Sequence, residues 1–172
     1  MVVSGFDEDS IVEADPAALV AALARAKAEA VAAILAGSAD DLIVIGCDSV
    51  LAFEGEIHGK PADAAEATAR WRRIRGRTGV LHTGHHVIHA REARTAVAST
   101  SVSFAHLSDA EIDAYVTTGE PLEVAGAFTI DGLGGAYVTG ISGDHHNVVG
   151  ISLPLLRTML AELGIAWHSL WS

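Results

Sequence analysis

The run Leu42–Cys47 constrains the fold of this chain more than any other segment. It is continuously apolar and partly β-branched, which predicts a buried strand of a sheet. The strand leads into Asp48 and Ser49, and Lys60 follows 12 residues after the acid, held between a glycine and a proline. A carboxylate at a strand end can hold a divalent cation, and a nearby lysine can neutralise phosphate. This pair of groups suits cleavage of a phosphoanhydride, because both offset the charge that develops at phosphorus.

Helices and strands are mixed along the rest of the chain. The patterns predict four helices: one from Pro16, capped by Asp15 and ended by Gly37, one over Ala64–Ile74, one opened by Ser108, and one over Val148–Leu163 that kinks or starts near Ser152. They predict strands over Leu42–Cys47, Val80–Ala90, Thr95–His106 and Ile165–Leu170, and strand-like runs over Val124–Ile130 and Ala136–Val138. A hairpin turn is expected at Glu54-Gly55. Long antiparallel segments among helices favour an α/β or α+β sheet over a purely doubly wound one.

The charge of the chain favours a small anionic ligand over a polynucleotide. The net charge is −11, so the protein should repel nucleic acid unless positive charge is locally concentrated. One such concentration consists of Arg70, Arg72, Arg73, Arg75 and Arg77. Two interpretations stay open: these side chains cover a solvated helix face and its C-terminal turn, or Arg77 reaches a phosphate or structures the site.

Composition also bears on location. The single cysteine excludes an internal disulfide and suits a reducing compartment. No apolar run approaches the ~20 residues that span a bilayer, and the N-terminus lacks a basic region followed by an apolar core. We therefore expect a cytoplasmic protein that has no membrane partner.

A series of short motifs extends from the Asp48 region to the C-terminal part of the chain. They are I-G-C-D-S-V-L-A-F-E-G-E-I-H-G-K-P from Ile45, Gly76-Arg77-Thr78 with Thr83-Gly84, Gly119-Glu120-Pro121 with Ala125-Gly126, and Gly143 followed by Asn147-Val148-Val149-Gly150 and Leu153-Pro154-Leu155. Their order resembles that of the motifs of the Maf family of nucleoside-triphosphate pyrophosphatases. The ordered series covers nearly the whole chain.

The resemblance implies a fold and an activity. The fold would be α/β and similar to that of the Maf and inosine-triphosphate pyrophosphatase families, with a mixed, curved sheet, flanking helices and two lobes around a cleft. The activity would be hydrolysis of a nucleoside triphosphate between the α and β phosphates, giving monophosphate and pyrophosphate. Mg²⁺ or Mn²⁺ would be the cofactor and a homodimer the assembly. Family members prefer pyrimidine or modified nucleotides, which implies a housecleaning role.

The resemblance also implies roles for the candidate catalytic residues. Asp48 would hold the metal, together with Glu8, which matches the acid of a D-E motif in the family. The same carboxylates would orient or deprotonate a water molecule, and Lys60 would neutralise the leaving pyrophosphate. Ser49 would either help to bind phosphate or metal, or bond only to the backbone.

Three further residues are candidates for substrate binding. Arg77 and Asn147 belong to matched motifs. Asp131 precedes Gly132 at a position where the family usually has Gln-Gly. An amide both donates and accepts hydrogen bonds toward a base edge, whereas a carboxylate only accepts them. The base preference therefore stays open.

The sequence departs from the family at its start. The family's S-x-S-P-R-R loop, which binds the triphosphate, has no counterpart, and the match begins within Met1–Glu8. We expect residues 1–172 to form a single domain that is N-terminally shortened relative to the family and binds triphosphate more weakly, because paired arginines are hard to replace at an anionic site. A second interpretation is a catalytically weak domain that binds nucleotide or a partner protein. The inosine-triphosphate pyrophosphatase family is a third, poorer match.

Overall fold

The structure, a computed structural model, describes residues 2–36 and 42–171. In this part of the chain the α-helices are α1 (Pro16–Ile34), α2 (Ala64–Ile74), α3 (Asp109–Thr117), α4 (His145–Val149) and α5 (Leu153–Glu162). The strands are β1 (Ile43–Phe53), β2 (Glu56–His58), β3 (Thr78–His89), β4 (Glu92–Phe104) and β5 (Val138–Ser142). Short 3₁₀ helices cover Glu8–Ser10, Glu120–Glu123, Ala125–Ala127, Leu133–Tyr137 and Trp167–Leu170.

The strands of the described ranges form one sheet in the order β2-β1-β3-β4-β5. β2 pairs antiparallel with the end of β1 through the turn Glu54-Gly55. Both turn residues have positive φ, 50° and 81°, which is the backbone that a two-residue hairpin turn requires. β3 and β4 are neighbours joined at Ala90 and Arg91, and β5 pairs antiparallel with the end of β4. The predicted α/β fold with a sheet and flanking helices is confirmed.

The chain divides into two compact units. The first comprises the described residues of Met1–Asp48, Thr83–Ala98 and Gly150–Ser172, and the second comprises Ser49–His82 and Ser99–Val149. The boundary falls within β1, between Asp48 and Ser49. That residues 1–172 act as one domain stays a prediction. None of the helices in the described ranges combines the length and hydropathy that crossing a bilayer requires.

In the first unit, α1 lies directly against strands β1 and β3 at two glycines. A Cβ atom at Gly46 would lie 2.3 Å from the carbonyl oxygen of Ala24, and one at Gly84 would lie 2.0 Å from that of Val20. Any larger residue would push the helix away from the sheet. The apolar cluster of this unit joins α5 to β3 through the buried residues Val87, Leu156, Met159 and Leu160.

The core of the second unit is built around Trp71 of α2. Its ring makes edge-to-face contacts with Phe104, Tyr115 and Tyr137, with centroids 5.6, 5.6 and 6.0 Å away. Its indole N–H donates to the carbonyl oxygen of Ala127 over 2.8 Å, so the polar atom of this fully buried side chain is satisfied. The aromatic cluster thereby joins α2, α3 and β4 to the loop before β5.

The structure confirms the helix-capping residues that the sequence predicts. The Asp15 carboxylate accepts from the N–H of Ala18 over 2.8 Å, and Pro16 follows it in the first turn of α1. The other caps are Asp63 on α2, Ser108 with Glu111 on α3, and Ser152 on α5. Ser152 also separates α4 from α5, as Pro154 predicts. Gly37, expected to end α1, lies outside the described residues.

Three of the predicted strand-like runs are wrong. In Ala136–Val138 the first two residues belong to the 3₁₀ helix Leu133–Tyr137, and β5 begins only at Val138. Ile165–Leu170 forms no strand; its last part is the 3₁₀ helix Trp167–Leu170. Val124–Ile130 contains the 3₁₀ turn Ala125–Ala127, in which Gly126 and Ala127 have positive φ of 72° and 63°. These angles are incompatible with a strand. Ala127 and Phe128 are apolar because they fill the aromatic core.

Candidate active site

Asp48 does not end a strand as the sequence predicts: β1 continues to Phe53, so Asp48 stands near its middle, on the face that α1 covers. Gly46 and Asp48 are two residues apart in the strand, so they point to the same side of the sheet. At Gly46 the backbone of α1 comes close at Ala24, and the Ala28 Cβ would lie 2.8 Å from an added Cβ. Lys27, which precedes Ala28, is thereby brought to Asp48.

Glu8, Lys27 and Asp48 form a carboxylate–ammonium–carboxylate cluster. The Lys27 ammonium donates a hydrogen bond to Oδ1 of Asp48, and its Nζ lies 2.8 Å from Oε1 of Glu8. The Asp48 side chain is 12% exposed, whereas that of Glu8 is 55% exposed. The cluster thus has a largely covered acid and an acid open to solvent, joined by one cation. Two carboxylates and one ammonium leave a net negative charge.

The electrostatics of this cluster keep Lys27 charged and the neighbouring thiol neutral. Burial lowers the pKa of Lys27, but hydrogen bonds and charge attraction from Asp48 and Glu8 outweigh burial and raise the pKa above its usual value. Burial, with a smaller contribution from the Asp48 charge, raises the pKa of the Cys47 thiol to about 11. The thiol is therefore protonated at neutral pH and is a poor nucleophile.

The two acids fit a divalent cation whose coordination shell is supplied partly by the protein and partly by the substrate. Glu8 and Asp48 offer hard carboxylate oxygens that converge on one positive group. Mg²⁺ is commonly held by one or two carboxylates, with water and substrate phosphates completing its shell. Within residues 2–36 and 42–171 there is no group of three or more His, Cys, Asp or Glu that could hold a metal by itself. The donor set therefore suits a cation that arrives with phosphate.

Lys60 lies in the second unit, on the turn between β2 and α2. Its side chain is exposed, and it makes no hydrogen bond or ion pair with any residue in the described part of the chain. The next residue, Pro61, is buried, so the turn itself is anchored while the ammonium faces solvent. Such an ammonium is available to an anionic ligand.

Ser49 and Arg77 are placed differently. Ser49 follows Asp48 in β1 and is half-buried. Arg77 is paired within its own unit: its Nη1 lies 2.7 Å from Oε1 of Glu54, and its guanidinium lies 5.6 Å from the centroid of the Phe53 ring. Arg73 lies over the same ring and forms two hydrogen bonds with Glu56, of 2.7 and 3.0 Å. Arg73 and Arg77 are thus engaged with the acidic hairpin, whereas Arg72 and Arg75 pair with Asp109.

Asn147 is fully buried in the second unit, with 0% exposure. Its Nδ2 donates to the carbonyl oxygen of Leu81 over 3.3 Å and to Oγ1 of Thr100 over 3.1 Å. Oγ1 of Thr100 in turn donates to the carbonyl oxygen of Asp144 over 3.0 Å. In this conformation Asn147 holds the loop before α4 against β3 and β4.

Asp131 is exposed on a loop that Glu120 organises. The Glu120 carboxylate accepts hydrogen bonds from the hydroxyls of Tyr115 and Thr129 over 2.8 and 2.6 Å, and from the N–H groups of Leu133 and Gly134 over 2.9 Å each. Burial raises the pKa of Glu120, but these donors outweigh it and lower the pKa to about 2. Asp131 itself has no hydrogen bond or ion pair with the residues described here.

The structure brings some of the predicted residues together and leaves others apart. Glu8 and Asp48 meet through Lys27, whereas neither Lys60 nor Asp131 forms a side-chain hydrogen bond or ion pair within the described ranges. The sequence analysis does not identify Lys27, and it places Glu120 in a motif without predicting its role.

A sequence signal for Lys27 does exist. The apolar stripe of α1 places residues at i, i+3, i+4, i+7 and i+8 from Val20. Lys27 occupies the i+7 position of that stripe, where an apolar residue is expected. A lone charge within a buried stripe indicates a partner on the surface that the helix covers.

Comparisons with known proteins agree on one family. A family model described as Maf-like protein matches residues 1–163. A relative from Streptomyces avermitilis is 53% identical over 174 residues, covering 100% of this chain and 84% of the relative. Another, from Salinispora tropica, is 57% identical and covers 100% and 77%, and one from a Synechococcus species is 55% identical and covers 93% and 86%. All three are named nucleoside triphosphate pyrophosphatase. The chain belongs to the Maf family.

Proposed function

We propose that this protein hydrolyses a nucleoside triphosphate at the α–β phosphoanhydride, giving a nucleoside monophosphate and pyrophosphate. The observation that carries the proposal is the convergence of Glu8 and Asp48 on the Lys27 ammonium. Family membership and the names of the relatives support it. Apolar side chains of similar volume in place of all three groups would hold the fold equally well, so the convergence of two acids on one ammonium indicates a chemical role.

The chemistry assigns each group a task. Asp48 orients a water molecule and takes its proton as the water oxygen bonds to the α phosphorus. The bond from that phosphorus to the bridging oxygen breaks, and pyrophosphate leaves with the electron pair. Lys60 neutralises the charge that develops on the leaving group. A divalent cation, Mg²⁺ or Mn²⁺, held by Asp48 and Glu8 would supply Lewis-acid stabilisation of the phosphates.

Substrate recognition is assigned to the second unit. Asp131 is exposed on the loop that Glu120 holds, and its carboxylate accepts hydrogen bonds from donor groups of a base. The resemblance favours pyrimidine or modified nucleotides. Ser49 and Arg77 are further candidates for phosphate contact, and Asn147 supports the site by holding the loop before α4. The resemblance favours a homodimer, and the single cysteine favours a reducing compartment such as the cytoplasm.

The experiment is pyrophosphate release over a panel of pyrimidine and purine triphosphates, with Mg²⁺ and with Mn²⁺. Asp48→Asn should abolish release while the protein stays folded, because the amide keeps the shape of the side chain and loses its charge. Asp113→Asn is the matched control: Asp113 is exposed on α3 and should leave release unchanged. Release near the parent level in folded Asp48→Asn would contradict the proposal. Nucleotide binding without turnover by the parent would favour a binding module instead.

A further inference from the structure

The turn that carries Lys60 is tied at both ends to one face of α2. The carbonyl oxygen of Gly59 accepts a hydrogen bond from Nη1 of Arg70 over 2.6 Å. The N–H of Ala62 donates to Oε2 of Glu66 over 2.7 Å. Arg70 and Glu66 are themselves joined, Nη2 to Oε1, over 2.6 Å. These contacts close a ring around the segment that contains Lys60.

Arg70 differs from the other arginines of its helix in being buried. It is 5% exposed, whereas the side chains of Arg72 and Arg73 are 49% and 42% exposed. Its planar guanidinium binds two different acceptors with its two terminal nitrogens, a geometry that a lysine ammonium cannot reproduce. The buried Nε of Arg70 has no hydrogen-bond partner in the described part of the chain. An apolar residue would serve local stability at lower cost, so the arginine indicates another purpose.

We propose that Arg70 and Glu66, which we call the Lys60 clamp, position the catalytic ammonium by fixing the backbone on both sides of it. The inference rests on the function proposed above for Lys60. The lysine stem is flexible, so the place of its ammonium depends on where the turn directs it. A displacement on the order of 1 Å at a catalytic group can cost about a hundredfold in rate. Arg70 and Glu66 are thus positioning residues that act through Lys60.

The clamp can be weakened without unfolding the protein. The Gly59 carbonyl oxygen also accepts from the N–H of Gly126 over 3.1 Å, so it keeps a partner when the guanidinium is changed. Glu66 is 47% exposed, so Glu66→Gln places no new polar group in the core. Arg70→Lys keeps the charge and loses the fork. Two independent variants therefore test the clamp from its two sides.

The test measures kcat and KM for pyrophosphate release. Arg70→Lys and Glu66→Gln should each lower kcat by about tenfold to a hundredfold and change KM by less than about threefold, since the ammonium acts on charge that develops in the transition state. Arg72→Lys makes the same chemical change on the same helix, at an exposed residue paired with Asp109, and should leave kcat within about twofold.

A double-mutant cycle separates positioning from a structural role. In the Lys60→Ala background, Arg70→Lys should cause no further loss of kcat, because the group that the clamp positions is gone. An equal loss of kcat in both backgrounds would overturn the positioning role of the Lys60 clamp, and so would a normal kcat in folded Arg70→Lys and Glu66→Gln. Neither result would contradict the proposed function. An inactive parent, or a fully active Lys60→Ala, would instead overturn the proposed function.

Discussion

At the residue scale, Lys60 should matter for turnover and not for stability. It is exposed and pairs with nothing in the described ranges. Lys60→Ala should lower pyrophosphate release at least about tenfold, because loss of one charge contact to the transition state costs on the order of 1–3 kcal/mol. The thermal midpoint should hardly move. Arg91→Ala, at an exposed turn, is the control for loss of a surface cation. A large loss of stability with normal specific activity would show that Lys60 is structural.

Lys27, unlike Lys60, should matter for both turnover and stability. Lys27→Met removes the ammonium that Glu8 and Asp48 share and should lower the free energy of unfolding by about 1–3 kcal/mol, less than for a fully buried pair because Lys27 is 21% exposed. The pKa of Lys27 is raised above 10.5 in the folded state. Its contribution is therefore complete below about pH 10.5 and is lost as the pH rises through the folded-state pKa.

Urea denaturation of the parent and of Lys27→Met, at pH values from neutral to above about 10.5, checks the prediction. The difference between their unfolding free energies should be constant from neutral pH to about pH 10 and should shrink at higher pH. Lys27→Arg keeps a cation between the acids and should therefore keep most of the parent's stability advantage over Lys27→Met. If Lys27→Met were as stable as the parent at pH 7, the ammonium would have no stabilising role.

Single residues show where sequence reasoning succeeds and where it stops. Asp48 could be found because it ends an apolar run, which is a local signal. Its partner Lys27 is 21 residues away, and the contact exists only because α1 approaches β1 at Gly46. The charge pattern predicts a solvated helix face that includes Arg70, because charge alone does not show that α2 turns this side chain toward the Gly59 carbonyl.

At the element scale, the loop around Asp131 should depend on one carboxylate. Glu120→Gln replaces an acceptor of four hydrogen bonds with an amide that cannot accept them all, and should cost about 1–3 kcal/mol. The pKa of Glu120 is lowered from 4.5 to about 2. The stability that it contributes is therefore complete above about pH 4.5 and is lost as the pH falls toward 2.

Chemical denaturation at pH 7, pH 4 and pH 2.5 tests this dependence. The gap in stability between the parent and Glu120→Gln should be largest at pH 7 and should narrow at pH 2.5. Glu123→Gln lies on the same short helix, where its side chain is exposed, and should behave like the parent. A gap that does not change with pH would assign the loss to packing rather than to the ionised carboxylate.

The approach of α1 to the sheet should tolerate no side chain at Gly84. Gly84→Ala would put a Cβ 2.0 Å from the carbonyl oxygen of Val20, a backbone contact that only a shift of the helix can relieve. We expect a loss of about 3 kcal/mol or more. Gly140→Ala is the matched control, since Gly140 also lies in a strand and a Cβ there meets nothing within 4 Å. Equal thermal midpoints for the two variants would contradict the close approach.

Elements with a local signal were predicted well, and those that depend on distant partners were not. The caps at Asp15, Asp63 and Ser108 are confirmed because each side chain bonds to the backbone of its own helix. The apolar run Val124–Ile130 suggested a strand, but its composition reflects burial against Trp71. Periodicity does not distinguish a buried turn from a short buried strand.

At the scale of the whole molecule, positive charge is scarce and mostly paired. Against 22 Asp and Glu there are 11 Lys and Arg. Seven of these basic residues form ion pairs in the described ranges: Lys27, Arg70, Arg72, Arg73, Arg75, Arg77 and Arg94. A triphosphate approaching such a surface meets repulsion that Lys60 alone does not offset. A divalent cation accompanying the nucleotide would supply the missing charge.

Metal and nucleotide should therefore stabilise the folded molecule together and not separately. The carboxylates of Glu8 and Asp48 already share the Lys27 ammonium, and the described ranges hold no larger cluster of metal-ligating side chains. Millimolar MgCl₂ alone should leave the thermal midpoint within about 1 °C. Mg²⁺ with a non-hydrolysable triphosphate should raise it by several degrees, because a ligand that binds only the folded state stabilises it by mass action.

Scanning calorimetry with Mg²⁺ alone, analogue alone and both together measures this coupling. EDTA should abolish pyrophosphate release and leave the thermal midpoint of the nucleotide-free protein unchanged. In Asp48→Asn the joint effect should disappear, because one of the two acids that would hold the cation is lost, whereas Asp113→Asn should retain it. A rise of several degrees with Mg²⁺ alone would mean that the protein has a complete metal site of its own. If substrate phosphates complete the coordination shell of the cation, the nucleotide-free protein has little affinity for that cation. Strong stabilisation by Mg²⁺ alone would contradict this arrangement, and Glu8, Asp48 and Lys27 would then need another role.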